Sequence, residues 1–185
     1  MTAIYLAVAS LVLLLLWVVM TYNLFVHARN KIDESFSGVD VQLARRHDLV
    51  PNLVSTVKAY AEHERSTLER VTQARSSAVA ASELPEVGTA ESELSGAISG
   101  VFAVAEQYPE LKADQSFLRL QKDLTEVENE IAASRRIFNS NVQYFNTRVQ
   151  SIPSSFVAKV FSIEARPFFE LELTSDRAVP KLDLA

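Results

Sequence analysis

Residues 32–60 read IDESFSGVDVQLARRHDLVPNLVSTVKAY. Seam positions fall four and three apart: Ile32, Phe36, Val39, Leu43, Arg46, Val50, Leu53, Val57 and Tyr60. That period marks the face of a helix that packs on another helix. Arg46 alone is charged where the seam calls for an apolar side chain. Either its stem covers apolar neighbours while the guanidinium reaches water, or the charge is buried with a partner and fixes register at a cost in stability. Pro51 lies inside the pattern without shifting its phase. A proline removes one helical hydrogen bond. The stretch is therefore one kinked helix, or two with Pro51 in the first turn of the second; the retained phase favours one. The seam continues to Val71, and helix fades in the alanine- and serine-rich run 76–82.

On the N-terminal side, the first twenty residues carry no charged side chain, and Ile4 to Met20 is almost wholly apolar. At about 1.5 Å per residue, roughly 18–20 such residues cross a hydrocarbon core of about 30 Å. Tyr5, Trp17 and Tyr22 lie near the ends, where interfacial aromatics belong. A signal peptide would want a basic start and a small-residue cleavage site; neither is present, so an uncleaved anchor is expected over residues 1–21. Arg29 and Lys31 follow the span, then Arg45 and Arg46, and no Lys or Arg precedes it. The positive-inside rule then puts the N-terminus outside and the body in the cytoplasm. The expected location is the cell inner membrane, single-pass.

On the C-terminal side, a second helix is expected over Ala90–Gln107. Gly96 and Gly100 are four apart there, which either permits close approach of a helix or marks a loose tip. A third helix is expected from Phe117 through Leu124, Val127, Ile131, Phe138, Val142 and Phe145 to Ile152, with one phase slip near 134–136, and Pro153 ends it. Residues 81–110 hold six acidic and no basic residues. They read as a solvated tip or as a docking face for a basic partner. Residues 153–185 form an aromatic-containing tail, extended or partly disordered; the alternation Phe169 to Leu173 has no sheet to join.

Composition excludes much. Net charge is −5, which argues against nucleic acid as a partner. No cysteine is present, so thiol catalysis and thiolate metal sites are excluded. No glycine-rich phosphate loop occurs, and His27, His47 and His63 match no metal motif. Glu126, Glu128 and Glu130 read as a solvated face. No enzyme, metal or cofactor is expected.

The run Asp40 to Val54, with Arg45, Arg46, His47, Asp48, Pro51 and Asn52 at its centre, resembles the signature of the LemA family. Val57, Lys58, Tyr60, His63 and Glu64 continue the likeness, as do Tyr22-Asn23, Arg29-Asn30, Glu106 to Ala113, Glu128-Asn129, Asn139 and Asn146. Ala59 departs from it, standing where the family has glycine. The resemblance implies a bacterial membrane-anchored helical protein with no established catalytic activity. Genes of the family often accompany a membrane zinc metalloprotease, and a magnetosome membrane protein is similar to it.

The expected fold is all-α: one N-terminal transmembrane helix continuing into an antiparallel bundle of three to four long, coiled-coil-like helices over residues 22–152. The expected function is a membrane-anchored scaffold or adaptor with three kinds of partner: the lipid bilayer, further copies of itself, and an unidentified membrane or cytoplasmic protein. The rival reading is a self-assembling, membrane-shaping oligomer. Asn23 and Asn30, like Asn139 and Asn146, lie seven apart. An antiparallel register in which facing numbers sum to 169 would pair Asn23 with Asn146, Asn30 with Asn139, and Arg46 with Asp123.

Overall fold

The computed structural model describes residues 1–170. They form α1 (Thr2–Lys58), α2 (Arg65–Ala80), α3 (Leu84–Ala105), α4 (Pro109–Lys112), α5 (Gln115–Gln150) and α6 (Ser154–Val160), with no strand among the described residues. The fold is the expected all-α one. Two compact units divide it. One comprises Met1–Asp40 with Ala132–Phe168; the other comprises Val41–Ile131 with Phe169 and Glu170.

In the first unit, α1 buries Thr21, Phe25, Ala28, Ile32 and Val39, which extends the four-three seam a dozen residues toward the N-terminus. Opposite them α5 buries Phe138, Val142 and Phe145. Phe25 meets Phe145 edge-on at 5.9 Å between ring centroids, and Phe36 meets Phe138 at 5.7 Å. The later residue of α1 meets the earlier one of α5, so the helices run antiparallel. The seam of α5 does not slip near 134–136, because partly buried Ser134 and Arg135 fill the step between Ile131 and Phe138. Ile152 leaves the seam: α5 ends at Gln150, and Ile152 is 79% exposed. The tail opens with α6, which buries Val157 and Ala158.

Residues 2–20 of α1 bury no side chain within the protein. Among the described residues, α1 is the one helix long and apolar enough to cross a membrane.

In the second unit, α1 continues through Pro51 as one helix. Proline has no N–H to give the carbonyl four residues back, which is that of His47. The Arg75 side chain of α2 supplies the donor: its Nε lies 2.6 Å from the His47 oxygen. α1 then stops at Lys58, short of the expected extension to Val71. Along one continuous helix Val57 and Leu68 would lie about 16 Å apart. A turn over 59–64 instead returns Leu68, Val71, Ala74 and Ala78 to the apolar cluster that holds Val50, Leu53 and Val57. α2 packs on α3, whose Leu94, Ala97, Ile98, Val101 and Ala105 complete that cluster with Leu111, Phe117 and Leu124.

α3 begins six residues before the expected Ala90, with Pro85 in its first positions and Glu86 in its first turn, where a carboxylate suits the positive end of the helix dipole. Asp114 caps α5. Its carboxylate accepts the backbone N–H groups of Ser116 (2.8 Å) and Phe117 (2.9 Å) and the Tyr60 hydroxyl (3.1 Å). The Phe117 amide bond is the largest influence and, with the Tyr60 and Ser116 bonds, holds the Asp114 carboxyl below its usual value against partial burial.

Close approach does occur at a glycine, but not at Gly96, where an added Cβ meets nothing within 4 Å. It occurs at Gly88, where a Cβ would overlap the Glu170 carbonyl. Phe169, just before it, is 1% exposed. Part of the expected extended tail is thus core; residues 171–173 of the alternation lie outside the described residues.

If Arg75 replaces the donor that Pro51 lacks, Arg75→Met should lower the unfolding free energy by about 1–3 kcal/mol, the range for a hydrogen bond to a charged group. Denaturant unfolding of the full chain in detergent measures it. In a Pro51→Ala background the backbone N–H returns, and most of that loss should vanish. An equal loss in both backgrounds would show that Arg75 acts elsewhere.

Candidate functional site

Arg46 is 1% exposed, on the seam of α1 between Leu43 and Val50. Four seam positions define the face of α3 that meets it: Glu91, Leu94, Ile98 and Val101, at spacings of three, four and three, all buried. Glu91 is therefore the seam's one charged residue on α3, as Arg46 is on α1. The two form a buried ion pair: Arg46 Nη2 donates to the Glu91 carboxylate and, at 3.4 Å, to its backbone carbonyl. Arg46 Nη1 donates to Glu128 Oε2 of α5 at 2.7 Å and to Ser95 Oγ at 2.7 Å. The other Glu91 oxygen lies 2.6 Å from His47 Nε2.

Taking an arginine and a glutamate out of water costs several kcal/mol each, which only close pairing and further hydrogen bonds offset. The cluster provides both. Burial is the largest single influence on Glu91 and would raise its pKa. The hydrogen bond from His47 and the charge and hydrogen bond of Arg46 together outweigh it, and the carboxyl stays below its ordinary value. Glu128 remains half-exposed at its outer edge. An open cleft of about 320 Å³, lined by Arg46, Ser95, Phe102, Leu124, Glu128 and Asn129, reaches the arginine from outside. No group of three His, Asp or Glu among the described residues is placed to hold a metal ion.

The expected register is corrected. Arg46 meets Glu91 and Glu128 and not Asp123, which lies one helical turn earlier on α5 and lines a separate groove of about 880 Å³ with Arg119, Lys122 and Asn52. The α1–α5 partners Phe25–Phe145, Phe36–Phe138 and Arg46–Glu128 have sums of 170, 174 and 174, so no constant sum of 169 holds. Asn23 and Asn30 are exposed. Asn146 instead secures the chain after α6: its Nδ2 donates to the Arg166 carbonyl and its Oδ1 accepts the Arg166 N–H, both at 2.8 Å. Asn139 is partly buried on α5.

The motif residues divide by face. Arg46 and His47 point into the cluster, whereas Arg45, Asp48, Pro51 and Asn52 are exposed. Two acidic residues differ from the expectation: Glu91, within the block expected to be a solvated tip or a docking face, is buried, and Glu128, expected on a solvated face, pairs with Arg46. Glu91 was legible, because it continues the Leu94–Ile98–Val101 spacing backwards into the acidic block. Nothing in the spacing distinguishes Glu128 from Glu126 or Glu130.

This is a helical protein whose body closes around a buried ionic cluster and whose first helix begins in an uncovered apolar stretch. The LemA family model matches residues 35–184, and the chain belongs to the LemA family. Magnetosome protein MamQ of Magnetospirillum gryphiswaldense is 22% identical over a 199-residue alignment that covers 94% of this chain and 73% of that protein. MamQ 2 of Paramagnetospirillum magneticum matches to the same extent. Protein LemA of Metamycoplasma hominis is 26% identical over 141 residues, 74% of this chain and 63% of that one.

Glu91→Gln keeps the shape and removes the charge, leaving Arg46 buried without its main counter-ion. It should cost about 3–5 kcal/mol of unfolding free energy, while Asp123→Asn should change it by less than about 0.5 kcal/mol. The reverse order would restore the register through Asp123. Because folding lowers the Glu91 pKa, its stabilisation is complete above the ordinary glutamate value of about 4.3 and is lost as pH falls through the folded value. The acid-side fall in unfolding midpoint should therefore be shallower in Glu91→Gln than in the wild type.

Proposed function

We propose that this chain is a non-catalytic scaffold, anchored in the bacterial inner membrane by the start of α1, that works by binding protein, itself included. One observation carries the reading: a stretch of some eighteen apolar residues leads α1, and not one of them is buried within the protein. Water would leave that surface exposed at great cost, and a bilayer would not. The orientation with the N-terminus outside rests on Arg29, Lys31, Arg45 and Arg46 following the span. The non-catalytic reading is supported by the cluster itself, whose charges are spent on one another.

The second reading, a self-assembling organiser of membrane, has its own support. Relatives covering most of the chain are named magnetosome proteins. Ile137 and Tyr144, two turns apart on α5, are 60% and 52% exposed, apolar surface that a second copy would cover. The two readings differ in assembly size. The gene association that the family resemblance carries makes a membrane metalloprotease one candidate partner for the adaptor form.

The wild type has no cysteine, so Ser82→Cys reports topology cleanly. An impermeant thiol reagent should label it only after the cells are opened; labelling in intact cells would overturn the orientation. The purified chain at micromolar concentration in mild detergent should run as an oligomer, a small one for the scaffold and a large one for the membrane organiser. A monomer would remove self-association from both. Stoichiometric iron or zinc in the same preparation would contradict the non-catalytic reading.

A further inference from the structure

α6 carries apolar side chains on two sides. It buries Val157 and Ala158 against its own unit, and its other side is apolar too: Phe156 is 61% exposed and Val160 77%. Ile152, four residues before Phe156, is 79% exposed, and Phe161 is 47% exposed. Single exposed apolar residues are ordinary on a protein surface, but here Phe156 and Val160 lie one turn apart on α6 and Ile152 and Phe161 flank its two ends, so four exposed apolar side chains gather on one short segment and form a patch that marks an interaction site.

What covers the patch follows from where α6 is held. The Phe161 ring packs on Tyr22 at 4.8 Å. Tyr22 directly follows Thr21, the first buried residue of α1, so it stands where the uncovered apolar stretch ends and packing within the unit begins. If that stretch crosses a bilayer, Tyr22 is at the headgroup layer and Phe161 is beside it. Asn146 fixes the same segment from its other end through both backbone groups of Arg166. The charge in these segments is mostly of one sign. Residues 22–31 and 146–168 contain Arg29, Lys31, Arg148, Lys159 and Arg166 against the single acidic Glu164. Arg29 and Arg166 line the cleft beside Tyr22 and Phe161 with Glu164, and Lys159 lies on α6 itself; basic side chains beside an apolar face suit the surface of an anionic membrane.

We propose that α6 is an interfacial helix: Ile152, Phe156, Val160 and Phe161 enter the headgroup layer of the bilayer that α1 crosses, on the side where α1 leaves it. The proposal rests on the anchor reading of α1. It gives the first unit two attachments to the membrane, one through it and one along it. A single anchor leaves a body free to swivel; two contacts fix the direction in which α1 and α5 leave the surface.

The test uses the full chain, reconstituted in vesicles of mixed phosphatidylcholine and phosphatidylglycerol. Phe156→Cys and Val160→Cys each receive an environment-sensitive fluorophore; both positions are exposed, so folding is spared. Leu14→Cys in the anchor and Ser37→Cys on the exposed face of α1 are the references. The α6 adducts should be blue-shifted relative to the Ser37 adduct, lose most of their emission to lipids spin-labelled near the headgroup, and resist iodide in the water. Iodide quenching of the α6 adducts as strong as at Ser37, with the Leu14 adduct quenched by deeply labelled lipids, would overturn the interfacial placement and leave the anchor standing. An iodide-accessible Leu14 adduct would overturn both. α6 adducts shielded from lipid and iodide alike would mean that a second copy covers the face, which also overturns the proposal.

Discussion

An arginine with 1% of its surface exposed must have its charge answered inside the protein, and that requirement organises the second unit. Arg46 reaches its counter-charges only if α3 presents Glu91 and α5 presents Glu128 to the same point on α1. Apolar seams alone allow helices to slide by a turn, since one leucine packs much like the next. A buried charge does not, because a one-turn slip leaves it unpaired at several kcal/mol. His47 completes the arrangement by binding the second oxygen of Glu91. Its own carbonyl, orphaned by Pro51, is taken by Arg75. Adjacent residues of the family motif thereby tie α1 to α2, α3 and α5, which gives a physical reason for arginine, histidine and proline to stand so close together.

Much of the fold was legible in the sequence, for a simple reason. The four-three spacing around Ile32–Tyr60 reports a helix face directly, and nearly every seam position from Thr21 to Val57 is buried or partly buried. What spacing does not report is where a helix stops for tertiary reasons. No glycine or proline marks the turn after Lys58; α1 ends because folding back places Leu68 and Val71 in the core. The same limit hid the start of α3, where Pro85 was the available sign. The tail was the least legible. Its aromatics carry no period, and it is the burial of Phe169 and the tight passage of Glu170 over Gly88 that show the chain returning to the core.

The candidate site was half legible. Arg46 declared itself as a charge on an apolar seam. One register extended along two straight helices pairs it with Asp123. That register fails because it uses two helices where the site uses three. On the proposed reading, the two units have different tasks. The second holds a rigid body together with buried charge, and the first carries the apolar helix and the exposed patch of α6 that face lipid. A scaffold needs both a defined surface and a defined place to present it.

The central claim is that Arg46 and Glu91 act as one buried unit that fixes the packing of α1 on α3. A double-mutant cycle with Arg46→Leu and Glu91→Leu, read by denaturant unfolding of the full chain in detergent, tests it most directly. Each single variant strands a buried charge, whereas the double variant strands neither. The loss in the double should therefore be well below the sum of the singles, with a coupling of about 0.5–3 kcal/mol or more. Simple additivity would contradict the account.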